Sequence, residues 1–361
     1  MKSEKVKIGI IGTGFARKVQ IPAFQTLPNA EVVSVASGHL ENAEKTAKDF
    51  GIAHFTDDWR ETIEKDIDLV CITTPPNTHK EMTLFALERG IAVLCEKPMA
   101  MNVAEAEEMT AKAEQKGVLA LIDHELRFQN GRQKARKMLH DGEIGKIIHA
   151  KYNFRNASRG TLDTPWNWWS DETRGGGALG AIGSHIIDSF LWFLDIEISS
   201  VFCQLQTHVK ERRDGKFGEM REVTSDDESN LILRFADGDL TEDATGIVSV
   251  SMVEYPKYQN RVEFFGTECA MRVGHHGKIF LAKKDDKDWR EIDVNFDKPI
   301  EGIPDTGFSR GFMSFAPKII EAVGEGKTEI ENAATFADGL KVQEVLDAAR
   351  KSDKSGEIVK L

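Results

Sequence analysis

The chain has 361 residues, 40% of them hydrophobic and 29% charged, with a formal net charge of −12 at pH 7. At roughly 150 residues per domain this length predicts two domains, each able to bury a core without disulfide or metal staples. The acidic balance repels phosphate backbones and anionic lipid, which excludes nucleic-acid and membrane-surface functions, and no apolar run approaching the roughly 18 residues of a membrane span stands out.

The first third alternates short β-branched runs with amphipathic stretches. Val6 to Ile11, Val32 to Ala36, Asp68 to Thr73, Ile91 to Cys95 and Val118 to Ile122 read as strands, with helices between them. Asn77 is placed to cap a helix that ends at Arg89 and Gly90, and Asn102 with Glu105 to cap another closed by Gly117. Strand–helix alternation predicts parallel βαβ units and a doubly wound sheet over residues 1–123. The basic residues and apolar stretch before Gly14 read as the first strand, not a secretory leader, so the cytosol is the expected compartment.

The remainder, 124–361, changes character. A helix is expected from Gln129 to His140, then strands such as the one in which Val248, Val250 and Met252 alternate with serines, giving a large open sheet, mostly antiparallel or mixed. A glycine-rich helix start at Gly175 to His185 interrupts it, and Phe336 to Lys351 reads as a closing helix within a final segment near 333–352. Cys71, Cys95, Cys203 and Cys269 have no metal or redox spacing and read as reduced thiols. His275-His276 between Gly274 and Gly277 reads as a hairpin tip, and no metal is expected.

Gly12-Thr13-Gly14 directly follows the first strand and opens the helical run from Phe15 to Leu27. Gly12 permits the tight turn, Gly14 lets backbone approach a pyrophosphate, and the helix start offers free amides; Thr13, Phe15, Ala16 and Arg17 complete the expected contact set. Arg17 stands where a third small residue is usual. The second strand ends Ala36-Ser37-Gly38-His39, with no carboxylate for an adenosine ribose. NADP is therefore expected somewhat ahead of NAD, with Ser37, His39 and Arg17 as candidate phosphate donors. Glu96-Lys97-Pro98 and Thr74-Pro75-Pro76-Asn77 end strands at the same rim, where Lys97 is placed to polarise a carbonyl or stabilise an alkoxide. Thr74, Pro75, Asn77 and Glu96 join the expected cofactor contacts, with His79 as either a contact or a structural residue.

The stretches Gly9 to Ala16, Thr74 to His79, Glu96 to Pro98, and Gly175 through His185 and Asp188, together with Phe336 to Ala349, resemble the glucose-fructose oxidoreductase and inositol dehydrogenase (Gfo/Idh/MocA) family over nearly the whole chain. The resemblance implies an N-terminal NAD(P)-binding Rossmann domain, a C-terminal α/β domain carrying substrate and oligomer contacts, and Lys97 and His185 as catalytic partners. Many members carry a carboxylate four residues before this histidine; here Ala181 stands there, followed by His185 and Asp188. Lys97, His185 and Asp188 are expected at the substrate, with Trp168 of the Trp166, Trp168, Trp169 loop and Arg155 as further contacts.

The expected function is an NAD(P)-dependent oxidoreductase passing a hydride between nicotinamide and a secondary alcohol or ketone of a sugar, cyclitol or related polyhydroxylated molecule. The alternative, motivated by Ala181, is a nucleotide-binding regulator of the same fold. A homodimer or homotetramer is expected, without nucleic-acid or membrane partners.

Overall fold

The structure is a computed structural model and describes residues 5–215 and 218–361. In chain order, β1 (Val6–Ile11) leads through a π-helical turn (Ala16–Gln20) into α1 (Ile21–Gln25). Then follow β2 (Ala30–Ala36), α2 (Leu40–Phe50), β3 (His54–Thr56), α3 (Trp59–Ile63), β4 (Leu69–Ile72), α4 (His79–Glu88), β5 (Ala92–Cys95), α5 (Val103–Lys116) and β6 (Ala120–Ile122). The middle of the chain forms α6 (Asn130–His140), β7 (Ile147–Arg155), α7 (Ser184–Leu194), β8 (Ile198–Gln206), β9 (Glu211–Arg213), β10 (Met220–Glu222), β11 (Glu228–Phe235) and β12 (Thr241–Ser251). It continues with β13 (Gln259–Gly266), β14 (Cys269–Gly274), β15 (Ile279–Lys283) and β16 (Arg290–Ile292). The chain ends with α8 (Gly307–Gly324), β17 (Ala334–Thr335), α9 (Phe336–Ser355) and β18 (Val359–Lys360).

Two compact units emerge. The first comprises residues 1–128 and 297–340; the second comprises 129–296 and 341–361. The sheet of the first unit runs β17-β6-β5-β4-β1-β2-β3, parallel except for β17, which is the expected doubly wound order with its switch point between β1 and β4. Its strands are continuous apolar runs because both faces are covered. On β4, Leu69 and Cys71 join one core cluster while Val70 and Ile72 join the other.

The expected boundary at 123 assigned everything beyond it to the second domain, whereas α8 and β17 belong to the first unit. Helix α8 was not foreseen: Gly307, Gly311 and Pro317 break its pattern as read locally. It forms because a Thr306–Ser309 capping box starts it and its apolar face buries Phe312 edge-on to Phe24 and Phe315 stacked 4.1 Å from Phe128. Gly311 is dictated by approach, since a Cβ there would lie 2.3 Å from the Glu125 carbonyl. The short strand β3 also escaped the sequence reading, having only three residues. Asn102 caps α5 through the Glu105 amide and Gly117 closes it with φ 60°, as expected. Asn77 does not cap: a 3-10 turn over Pro76–Thr78 carries the chain into α4.

The second unit is built on a nine-stranded sheet in the order β16-β15-β14-β13-β7-β12-β11-β8-β18, antiparallel apart from the β7–β12 pair. Helix α7 is buried at every position but Leu191, and sets Phe190 and Phe193 against Phe264 of β13. An 18-residue window within Glu172–Leu194 has a mean hydropathy of 1.3, so a run of that length and apolarity does exist where none was expected; 94% of that window is buried inside the structure, as a core element. His275 and His276 do form the β14–β15 hairpin tip, fixed by Gln129 Nε2 donating to the His275 carbonyl at 3.0 Å. All four cysteines are free thiols, three of them buried.

Candidate active site

The turn after β1 is set by steric necessity. Gly12 has φ 101°, and a Cβ there would sit 2.4 Å from the Thr73 carbonyl oxygen, so β1 and the end of β4 meet with no room for a side chain. The Thr73 hydroxyl donates toward the Ile11 and Gly12 carbonyls at 2.9 Å. Gly14 differs: nothing lies within 4 Å of where its Cβ would be. That open space is the cradle a side chain would fill. It lies at the start of the Ala16–Gln20 turn, where no side chain caps the helix amides, so Gly12, Thr13, Gly14, Phe15 and Ala16 fit a bound pyrophosphate.

Around this turn the expected contacts divide. Ser37 is buried and donates its amide to Thr56, whereas His39 is exposed at the start of α2. Arg17 is ion-paired with Asp49 of α2. The Thr74 hydroxyl accepts from Thr78 at 2.7 Å, and Thr78 donates to the Pro75 carbonyl at 2.8 Å, closing the turn that holds Asn77. His79 is fully buried with its ring nitrogens 2.8 Å from the Thr74 carbonyl and 3.1 Å from that of Pro98. Burial holds its pKa below the usual imidazole range. It ties the loop after β4 to the Lys97 loop and presents no nitrogen outward, so its role is structural.

Lys97 Nζ lies 3.9 Å from Glu96, both side chains mostly buried. Beneath them is a cluster the sequence reading missed. β5 and β6 pair Cys95 with Ile122, so the strands end side by side and the residues following them, Glu96 and Asp123, are brought together. Asp123 and Glu125 are buried, and Gln20 donates to Asp123 Oδ2 at 2.8 Å. Burial pushes all three carboxyls upward, with the neighbouring charges of Glu96 and Asp123 adding to the effect on Glu125. Asp123-His124-Glu125 directly after a strand end at this rim was the available signal.

In the second unit, His185 and Asp188 lie buried on α7, one turn apart. The His185 carbonyl accepts from Ser189 at 2.6 Å, and Ser189 is bonded in turn by Arg132. Ala181 lies in a second π-helical turn, Leu179–Gly183, that feeds α7. The glycines before it answer packing: a Cβ at Gly176 would meet the Trp169 carbonyl at 2.5 Å, and one at Gly177, whose φ is 115°, would meet Asp226 Oδ1 at 2.1 Å. Asp226 accepts from the Leu179 amide at 2.7 Å, and burial pushes its carboxyl up to about 6.

The tryptophan loop is braced from several sides. Trp166 donates to the Glu222 carbonyl at 2.9 Å under the Arg221 guanidinium, and the Trp169 carbonyl accepts from Ser225 at 2.6 Å. Trp168 is half-buried, its ring 5.7 Å from that of Trp169. Arg155 is engaged by Glu254 and donates to Ser249 at 2.6 Å, so it is bound in at the end of a central strand of its own sheet.

Comparison with known proteins agrees with this geometry. Residues 6–124 match the description "Oxidoreductase family, NAD-binding Rossmann fold", and residues 132–272 match "GFO/IDH/MocA C-terminal domain". The glucose-6-phosphate 3-dehydrogenase of Bacillus subtilis is 27% identical, covering 97% of both chains. The levoglucosan dehydrogenase of Pseudarthrobacter phenanthrenivorans is 28% identical, covering 97% of this chain and 96% of its own. A solved structure of levoglucosan dehydrogenase in complex with NADH and levoglucosan superposes with a TM-score of 0.86 at 26% identity, covering 99% of each chain. With the glycine turn, the sheet order and both matched regions in agreement, the chain belongs to the Gfo/Idh/MocA family of NAD-binding oxidoreductases.

Proposed function

We propose that this protein is an NAD(P)-dependent dehydrogenase or reductase that interconverts a secondary alcohol and a ketone on a sugar, cyclitol or related polyhydroxylated molecule. The observation that carries the reading is the Gly12 to Gly14 turn at the β1–β4 switch point, with open space at Gly14, and the mostly buried Glu96–Lys97 pair after β5, two strands along the same sheet. Gly12 to Ala16 would hold the pyrophosphate, and the loops Thr74 to Asn77 and Glu96 to Lys97 the nicotinamide ribose. When bound, the nicotinamide supplies the hydride chemistry. Lys97 would bind the reacting oxygen and stabilise its negative charge, His185 would take or return the hydroxyl proton, and Asp188 and Trp168 would hold the substrate. The relatives compared act on glucose 6-phosphate and levoglucosan by name, which supports the carbohydrate class.

NADP is proposed ahead of NAD because no carboxylate ends β2, leaving Ser37 and His39 at that position. Arg17 joins them only by exchanging Asp49 for a phosphate. The chain is also proposed to form a homodimer or homotetramer through the open sheet of the second unit. Ile232 and Ile247, paired across β11 and β12, are 57% and 43% exposed there.

The test is calorimetric titration with NADP and NAD, then a panel of sugars, cyclitols and their ketones followed by nicotinamide absorbance. Binding with turnover supports the reading, and failure to bind either nucleotide overturns it. Light scattering of the same sample checks the oligomer.

A further inference from the structure

We propose that Asp123 is a positioning residue for Lys97, acting through Glu96: the two carboxyls share one proton, and the shared proton holds Glu96 ionised against the Lys97 ammonium. This rests on the reading above that Lys97 meets the substrate.

The argument begins with an orphaned atom. Asp123 is 0% exposed; its Oδ2 accepts from Gln20, while its Oδ1 has no donor among the described residues. The Glu96 carboxyl lies within hydrogen-bonding reach of the Asp123 carboxyl. Two ionised carboxylates so placed would repel with no donor between them, in a dry environment that screens little. A single proton between them turns the repulsion into a short charge-assisted bond. Burial pushes both groups upward, but Glu96 is drawn back first by Lys97, then by the Lys97 amide, 3.3 Å away, and by Asp123 itself. Asp123 is raised further by Glu96. The proton therefore belongs to Asp123 and the charge to Glu96, where Lys97 uses it.

The other ionisable groups that face this cluster do not supply a donor in its place. Cys71 on β4 and Cys95 on β5 are buried thiols pushed upward by burial, and Glu125 is itself a buried acid. His79 on α4 faces Lys97 and is occupied with backbone carbonyls. Only a shared proton leaves Glu96 partnered on both sides.

The experiment is infrared spectroscopy of the full cofactor-free chain in heavy water at neutral pH, reading the carbonyl stretch of protonated carboxyls. The expected result is a band that disappears in Asp123→Asn and equally in Glu96→Gln, because the glutamine amide donates to Asp123 and lets it ionise. Glu125→Gln should leave that band in place. Glu125, itself a buried acid, contributes its own band, identified by its loss in Glu125→Gln. Survival of the Asp123-dependent band in Glu96→Gln marks an isolated buried acid and overturns the proposal, as does the absence of that band from the parent chain. Should Glu96→Gln fail to fold, acylation of Lys97 by an amine-directed reagent at neutral pH gives the second reading. Acylation should quicken in Asp123→Leu, where Glu96 takes up the proton and stops pairing with the ammonium, and return to the parent rate in Asp123→Asn, whose amide still donates. Equal rates in all three chains overturn the proposal. Nucleotide titration of the same samples reports separately on the dehydrogenase reading, since loss of binding there leaves the carboxyl band untouched.

Discussion

Each unit contains one glycine-led π-helical turn that carries its candidate residues, and the two are built for opposite purposes. After Gly12 and Gly14, the turn Ala16–Gln20 opens onto space at Gly14 and has no side-chain cap. Before the turn Leu179–Gly183, Gly176 is packed against tryptophan carbonyls and Gly177 against Asp226, which also accepts from the Leu179 amide at the start of the turn. π-helical turns are rare and gather at functional sites, so the pair is informative. The same residue type leaves backbone accessible in one turn and lets it be enclosed in the other.

The sharpest way to break this contrast is Gly12→Ala. A positive φ and a clash with backbone together should cost about 3 to 5 kcal/mol and abolish nucleotide binding, measured by denaturant unfolding and calorimetry. Next is Asp226→Asn. Because the carboxyl is raised from an ordinary 3.8 to about 6, the folded chain binds its proton more tightly than the unfolded chain. Its contribution is complete below pH 4 and is lost as pH rises through 6, so the parent should lose up to about 3 kcal/mol relative to the variant over that window. Unfolding curves taken at both ends of it decide the matter; parallel pH dependences would show that Asp226 is ionised throughout.

Gly176→Ala should cost about 2 kcal/mol of stability while leaving nucleotide affinity intact, since the carbonyls of Trp168 and Trp169 must move. Gly14→Ala should do the reverse, holding stability within about 0.5 kcal/mol while weakening nucleotide binding about tenfold, roughly 1.4 kcal/mol. If Gly14→Ala bound nucleotide normally, the open space would not be the cradle. The smallest effect is expected from Arg17→Ala, whose half-exposed pair with Asp49 contributes under about 1 kcal/mol. Its value lies in the ratio of NADP to NAD affinity, which should stay unchanged if Arg17 remains with Asp49.

The first turn was legible because strand, glycines and helix follow one another in sequence, and the strand order followed from the same local alternation. The purpose of Gly175 to Gly177 was not, because the neighbours that decide it, Asp226 and the Trp168 and Trp169 carbonyls, are supplied by other segments. Gln20, Asp123 and Glu96 are likewise brought together only by the order of parallel strands, Gln20 and Asp123 standing 103 positions apart in the chain. Helix α8 was hidden by its own glycines and proline, tolerated because tertiary packing outweighs their low propensity. His79 and Arg155 have the polarity of ligand contacts, yet their partners are carbonyls, a serine and a glutamate of their own units.

That helix also sets a timetable for biosynthesis. Residues 129–296, 168 in number, separate the two segments of the first unit, so Phe24 and Phe128 wait for Phe312 and Phe315 until the larger segment of the second unit has been made. At ribosomal speeds of about 5 to 20 residues per second that interval lasts roughly 8 to 34 seconds. A nascent chain thus holds an apolar half-core open to the cell throughout, and a truncation at residue 128 would keep it open permanently.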